Sequence, residues 1–262
     1  MSRPRIIPFL LLKGGALVKT RKFADPKYIG DPINAVRIFN EKEVDELILL
    51  DIAATPLGQA PDYELIKDVA SEAFMPIGYG GGITSLNEIE KLFKAGIEKI
   101  SLNSVLFDNP GLVAEAARVF GSQSITACID VKRQLLGRHS LHSHGGRIRQ
   151  KIDIFEHVLR LEALGVGEIA INSIDRDGTM GGYDIALIES ISKMVPMPVI
   201  CIGGAGNAKH LCEGLRAGAS AAGAGSMFVF YGKHRAVMIS YTDPAEVQAL
   251  DGQSLNKDSK FL

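Results

Sequence analysis

Residues 76–83 read Pro-Ile-Gly-Tyr-Gly-Gly-Gly-Ile, and residues 198–206 read Pro-Val-Ile-Cys-Ile-Gly-Gly-Ala-Gly. Each is a short apolar run that breaks into glycines, as a buried strand does where it enters a tight turn. The flanking stretches match as well. Leu-Leu-Asp-Ile-Ala-Ala-Thr at 49–55 answers Ile-Asn-Ser-Ile-Asp-Arg-Asp-Gly-Thr at 171–179, and Ser-Leu-Asn-Ser-Val-Leu-Phe at 101–107 answers Gly-Ala-Gly-Ser-Met-Phe-Val at 223–229. The pairing sets Lys13 against Lys132, Asp51 against Asp175, Gly80 against Gly203 and Ser104 against Ser226, at offsets of 119, 124, 123 and 122 residues. The chain repeats itself once.

Further from the glycines, the same kind of run recurs at Ile6–Leu12, Leu47–Asp51, Met75–Tyr79, Lys99–Asn103, Ile125–Asp130, Glu168–Asn172, Met197–Ile202 and Ala219–Ala224. Uninterrupted apolar runs are how parallel strands read when both faces are covered. Between them, apolar residues fall at helical spacing. Ser85 and Glu88 form a capping box before the helix Asn87–Ala95, and Asp31 with Pro32 opens Asp31–Glu43. Asp153–Leu164 and Asp184–Met194 have the same pattern. Eight strands alternating with helices predict a (β/α)₈ TIM barrel of two homologous half-barrels. A doubly wound open sheet competes, but gives no reason for the repeat. Neither half closes a barrel alone, so we expect one domain over 1–262, with half-barrels at about 1–122 and 123–241 and a tail from about Thr242.

Composition excludes several classes. With 29 Lys+Arg against 30 Asp+Glu, the net charge of -1 offers no broad attraction to nucleic acid or to an anionic membrane. Three cysteines, Cys128, Cys201 and Cys212, show neither CxxC pairing nor zinc spacing, which suits a reducing compartment. Without a long apolar run or signal peptide, a soluble cytoplasmic protein is expected.

The glycine loops carry the chemistry. Gly80-Gly81-Gly82 follows the third strand and Asn103-Ser104 ends the fourth; Gly203-Gly204-Ala205-Gly206 follows the seventh and Gly225-Ser226 ends the eighth. Such loops bring backbone N–H groups close to phosphate oxygens, and a serine adds a hydroxyl. Two matched copies predict a ligand with phosphate at both ends. Between them, Asp51, Asp130, Asp175 and Asp177 end or follow strands. Asp130 stands in an apolar run that should raise its pKa into a useful range, although orienting Lys132 or capping a loop would also explain it. Asp51 and Asp175 fit a structural role in the barrel layer equally well. Asp177-Gly178-Thr179 reads as a turn able to bond a sugar hydroxyl. The position paired with Asp130 is Leu11, which cannot move a proton.

His139, His142 and His144 suggest a metal site, but the glycines and arginines around them favour a hairpin, and no metal or cofactor is expected. His144-Gly145-Gly146 could touch substrate instead. Cys128 and Cys201 read as core residues, and Lys233-His234-Arg235 as a solvated helix end. At the other end of the barrel, Arg5, Glu46, Lys99 and Glu168 precede or open strands one, two, four and six. They would form either a salt-bridged ring or ordinary surface charge.

Taken in order, Arg5–Pro8, Asp45–Ile52, Gly80–Ile83, Lys99–Ser104, Phe120–Gln123, Ile129–Arg133, His144–Arg147, Ser173–Thr179, Gly182–Asp184 and Gly203–Asn207 resemble the cyclase subunit of imidazole glycerol phosphate synthase. The resemblance runs to about Phe230. It implies a barrel that receives ammonia from a glutaminase docked at its N-terminal face. The ammonia then reacts at the C-terminal face with a doubly phosphorylated ribulosyl aminoimidazole carboxamide. It implies that Arg5, Glu46, Lys99 and Glu168 gate the ammonia. The phosphate set is then Gly81, Gly82, Asn103, Ser104, Gly178, Gly203, Gly204, Gly225 and Ser226, and the substrate set Lys19, Asp51, Asn172 and Asp177.

The departures are Leu11, where the family has one of two catalytic aspartates, and Phe9 and Gly14, where it has Cys and Asp. The stretch Ser226–Tyr241 resembles a paralogous branch of surface-polysaccharide clusters. In that branch the barrel and its glutaminase supply ammonia to a separate amidotransferase that converts an acetamido sugar. Ammonia supply for sugar amidination, a true histidine-pathway cyclase and a barrel that only activates a glutaminase are the three expectations, and Leu11 favours the first. The loop Lys19–Gly30 suggests a lid.

Overall fold

The structure, a computed structural model, describes residues 4–250. Eight strands carry the fold: β1 (Arg5–Lys13), β2 (Leu47–Asp51), β3 (Ile77–Gly80), β4 (Lys99–Leu102), β5 (Ile125–Arg133), β6 (Glu168–Ser173), β7 (Val199–Ile202) and β8 (Ala221–Ala224). Each pairs in parallel with the next, β8 returns to β1, and the ring closes as a (β/α)₈ TIM barrel. Around it pack helices including Pro32–Glu41, Leu86–Lys94, Ile154–Ala163, Ile185–Ser192 and Ala208–Arg216.

The apolar runs are continuous because the strands are buried on both faces. Along β1, Ile6, Leu10 and Leu12 face the outer core against the helices. Ile7 and Phe9 face the lumen, where Ile48, Cys128, Ala170, Ile200, Ile202 and Ala221 form a second, separate core. Burying one such large aliphatic side chain contributes about 1.5–3 kcal/mol, so the two layers together outweigh the weak intrinsic preference of parallel pairing.

The helices start where their caps predict. Asp31 accepts from Asn34 N at 2.9 Å with Pro32 following, Ser85 and Glu88 close the capping box, and Asp153 and Asp184 cap the two later helices. The repeat is visible in backbone dihedrals: Gly81 and Gly204 have φ of +124° and +123°, and Gly96 and Gly218 have +103° and +100°. Only glycine adopts these values without strain.

Two sequence readings are corrected. Lys19–Gly30 is not an irregular loop: Ala16–Arg21 and Ala24–Gly30 are strands that extend β1 into an antiparallel meander, with Lys19 buried. Lys233-His234-Arg235 is not a helix end; it turns a small hairpin between Phe230–Tyr231 and Ala236–Val237. The tail is ordered at its start. Tyr241 donates its hydroxyl to Ile6 O at 2.9 Å, and residues 244–250 are helical with Val247 buried. The remainder of that tail lies outside the described residues. The three histidines do sit on a hairpin, His139–Ser143 running antiparallel to β5.

Candidate active site

The C-terminal ends of the strands enclose one cavity of about 810 Å³. Leu11, Lys19, Asp51, Gly81, Gly82, Asn103, Ser104, Asp130, Asn172, Asp177, Gly178, Gly203, Gly204, Gly225 and Ser226 all line it. The loops that hold them are far apart in sequence; barrel closure gathers them.

Asp130 projects into the cavity from β5. It is buried, and accepts from Asn172 Nδ2 at 3.0 Å and Asn103 Nδ2 at 3.2 Å. Burial pushes its pKa up to about 7, against the pull of the Asn172 hydrogen bond. Such a carboxyl can both give and take a proton near neutrality. Leu11 lies on β1, four strands away around the ring and so opposite Asp130. With Phe9, Leu50 and Ile202 it makes an apolar wall.

The other aspartates divide. Asp51 lines the cavity but accepts from Ala53 N at 2.8 Å and Ala54 N at 3.1 Å, which shapes its own turn. Asp177 accepts from Thr20 Oγ1 at 2.9 Å and ties the meander to the β6 loop. Asp175 stays out of the cavity; it accepts from Arg133 N at 2.7 Å and lines a separate groove beside Lys132 and His142.

The Gly225-Ser226 turn faces the Lys19 amine. A Cβ on Gly225 would collide with that amine, so glycine is needed there for the lysine to enter. Lys19 Nζ donates to Phe9 O at 3.3 Å; burial lowers its pKa, and the charge of Asp177 opposes this. Sequence reading placed Lys19 in a loop because its strand, Ala-Leu-Val-Lys-Thr-Arg, carries too little apolar periodicity to stand out. It also missed Glu88 and Thr55, which line the first-half loop. The capping box identified Glu88 only as a helix start.

At the opposite end, the four charges form a ring. Arg5 bonds Glu46 at 2.5 Å and also Glu168, while Lys99 Nζ lies 3.1 Å from Glu46 and 2.9 Å from Glu168. Burial opposes the Arg5 charge, but the two glutamates outweigh it and hold its pKa above the ordinary value. The histidines are used singly: His139 pairs with Asp184 at 3.0 Å, and His142 bonds Ser140 and Gly146 O at 3.1 Å each. Among the described residues, no group of three His, Cys, Asp or Glu is placed to hold a metal ion, and no helix is long and apolar enough to cross a membrane.

Residues 5–235 match the family described as histidine biosynthesis protein. The chain is 54% identical over 244 residues to the Pseudomonas aeruginosa protein named "Putative imidazole glycerol phosphate synthase subunit hisF2", covering 93% of this chain and 97% of that one. It is 46% identical to a Vibrio vulnificus protein named "Putative imidazole glycerol phosphate synthase subunit hisF3", over 94% and 95% of the two chains. It is 43% identical to the imidazole glycerol phosphate synthase subunit HisF of a Hydrogenobaculum species, over 88% and 92%.

Proposed function

The chain belongs to the histidine biosynthesis protein family, and from that premise we propose that it is the ammonia-accepting synthase subunit of a glutamine amidotransferase pair. Its partner is a glutaminase docked at the N-terminal face. Ammonia enters through the ring of Arg5, Glu46, Lys99 and Glu168 and crosses the apolar lumen to the C-terminal cavity. There Asp130 exchanges protons with a phosphorylated ligand held by the glycine loops and Lys19.

The observation that carries the finer reading is Leu11. A cyclisation that uses two opposed carboxyls has only Asp130 here, since the facing wall is Phe9, Leu11, Leu50 and Ile202. Loss of one arm of such a pair slows chemistry by roughly 10²–10⁴-fold. Ammonia conduction needs no second carboxyl. The chain is therefore specialised for passing ammonia to a separate enzyme that amidinates an acetamido sugar. A second reading, a working histidine-pathway cyclase, draws support from Asp130, whose pKa of about 7 suits it to act alone as both acid and base.

The test is turnover of the ribulosyl aminoimidazole carboxamide intermediate by the purified chain with excess ammonium at alkaline pH. The first reading expects almost none. Turnover at ordinary enzyme rates overturns it in favour of the second.

A further inference from the structure

The outer end of β5 continues past the barrel rim. It pairs antiparallel with His139–Ser143, which pairs in turn with Ile148–Arg149 and leaves that strand as an open edge. The ribbon borders the cavity mouth. His144, Gly145 and Arg147 line the cavity itself, while Lys132, Arg133, Leu135 and Arg149 line a neighbouring groove of about 650 Å³. The run 131–152 contains Lys132, Arg133, Arg138, Arg147, Arg149 and Lys151, six of the chain's 29 Lys+Arg, and none of its 30 Asp+Glu. A chain of net charge -1 thus gathers positive charge at one side of its mouth.

The fold does not use these cations. All six are exposed, and none of them pairs with a carboxylate among the described residues. The carboxylates that reach the ribbon are engaged with other groups: Asp184 with His139 at 3.0 Å, Asp108 with His144 at 3.4 Å, and Asp175 with the Arg133 backbone N–H at 2.7 Å. Exposed cations spread along a ribbon make a surface, whereas a small ligand is held in a concave site by a few placed polar groups. The ribbon also offers apolar side chains: Leu135 is 92% exposed and Ile148 46%. Apolar anchors inside an arginine-rich border are the anatomy of a protein interface, and the run is about as long as the 20–30 residues one side of such an interface uses. Outside the ribbon Asp and Glu outnumber Lys and Arg, which repels nucleic acid.

We infer that this ribbon is the docking surface for the enzyme that accepts the ammonia, and that the partner meets it with an acidic face and an apolar recess for Leu135. A protein seated there lies at the rim of the cavity, at the end of the barrel away from the charged ring. Ammonia leaving the cavity then passes to the partner without crossing open water. The inference rests on the proposed reading of the chain as an ammonia supplier, and adds where its acceptor docks and by what surface chemistry.

The test is made in cells of the source organism that lack the gene for this chain and are complemented with the parent or a variant. Mass spectrometry of their surface polysaccharide reads the amidino sugar. Arg133→Glu/Arg149→Glu should cut that sugar about tenfold or more, as like charge facing an acidic partner does, while keeping the parent's urea midpoint. Leu135→Asp, which leaves every cation in place, is the independent second variant and should do the same. With the photo-crosslinker p-benzoylphenylalanine in place of Leu135, the adduct should contain an enzyme whose own loss abolishes the amidino sugar, and the charge reversal should remove that adduct. Parent levels of amidino sugar from both variants overturn the inference and leave the ammonia-supply reading standing. So does a crosslinker that finds nothing, or only the glutaminase or a second copy of this chain. If cells without the chain make as much amidino sugar as the parent, or the parent makes none, the underlying reading is overturned as well.

Discussion

Asp130 carries a proton up to about pH 7 in the folded chain, whereas in the unfolded chain a carboxyl releases it near 3.9. Between these values the folded state binds more protons, so this group lowers stability as pH rises from about 4 to 7, with its full effect above 7. Asp130→Asn should therefore stabilise the fold, by about 1–3 kcal/mol at pH 8 and by little at pH 4.5. Urea midpoints at the two pH values check this; equal midpoints in variant and parent at pH 8 would contradict it. Phe9 makes a second residue-scale prediction. A Cβ on Gly223 would stand 2.5 Å from Phe9 Cε2, so Gly223→Ala should destabilise by about 1–3 kcal/mol. Adding Phe9→Leu should restore most of it, which thermal melts of the single and double variants would register. Asp130 and Phe9 were both legible as residues, Asp130 by its place in an apolar run and Phe9 by what it replaces. The packing of Phe9 on Gly223 was not, because it joins strands 214 residues apart.

Among the elements, helix Ile154–Ala163 has an apolar face interrupted by His157. The imidazole is fully buried and stacks on Phe107 with ring centroids 4.5 Å apart, and neither nitrogen has a hydrogen-bond partner. Burial, with Arg160 nearby, pushes its pKa down to about 4. The unfolded chain takes up this proton below about 6.5 and the folded chain does not, so stability is lost as pH falls from 6.5 towards 4. His157→Leu should remove that acid sensitivity and raise stability at pH 7 by about 1 kcal/mol; urea midpoints at pH 7 and pH 5 decide. The barrel strands and capped helices could be read in the sequence because burial on both faces and short-range capping leave local patterns. The strands Ala24–Gly30 and His139–Ser143 left none. The first is mostly exposed, and the second is held by pairing to β5 instead of by an apolar period.

Across the whole molecule, the proposed function would draw on the two ends of one barrel. The charged ring buries Glu46 and Glu168 against Arg5 and Lys99, and removing one member strands its partners. Glu168→Ala should cost about 3 kcal/mol, measurable by chemical denaturation, whereas an exposed pair such as Glu189–Lys193 should be worth under about 1 kcal/mol. The ring could be read in the sequence as alternating charge at strand starts, and barrel closure turns that spacing into contact. The two glycine loops were legible as a repeat, but Lys19 beside Gly225 was not, because it arrives from a meander that the sequence pattern does not show.

The central claim is that a cyclase scaffold has kept its ammonia route and one carboxyl while Leu11 has silenced the opposite wall. Turnover of the ribulosyl aminoimidazole intermediate with excess ammonium, compared between the chain and its Leu11→Asp variant, tests it most directly. The account predicts that the variant gains at least 100-fold over a nearly silent parent, the low end of what a positioned acid–base group supplies. A parent that turns over at ordinary enzyme rates, or a variant no faster than the parent, would contradict it.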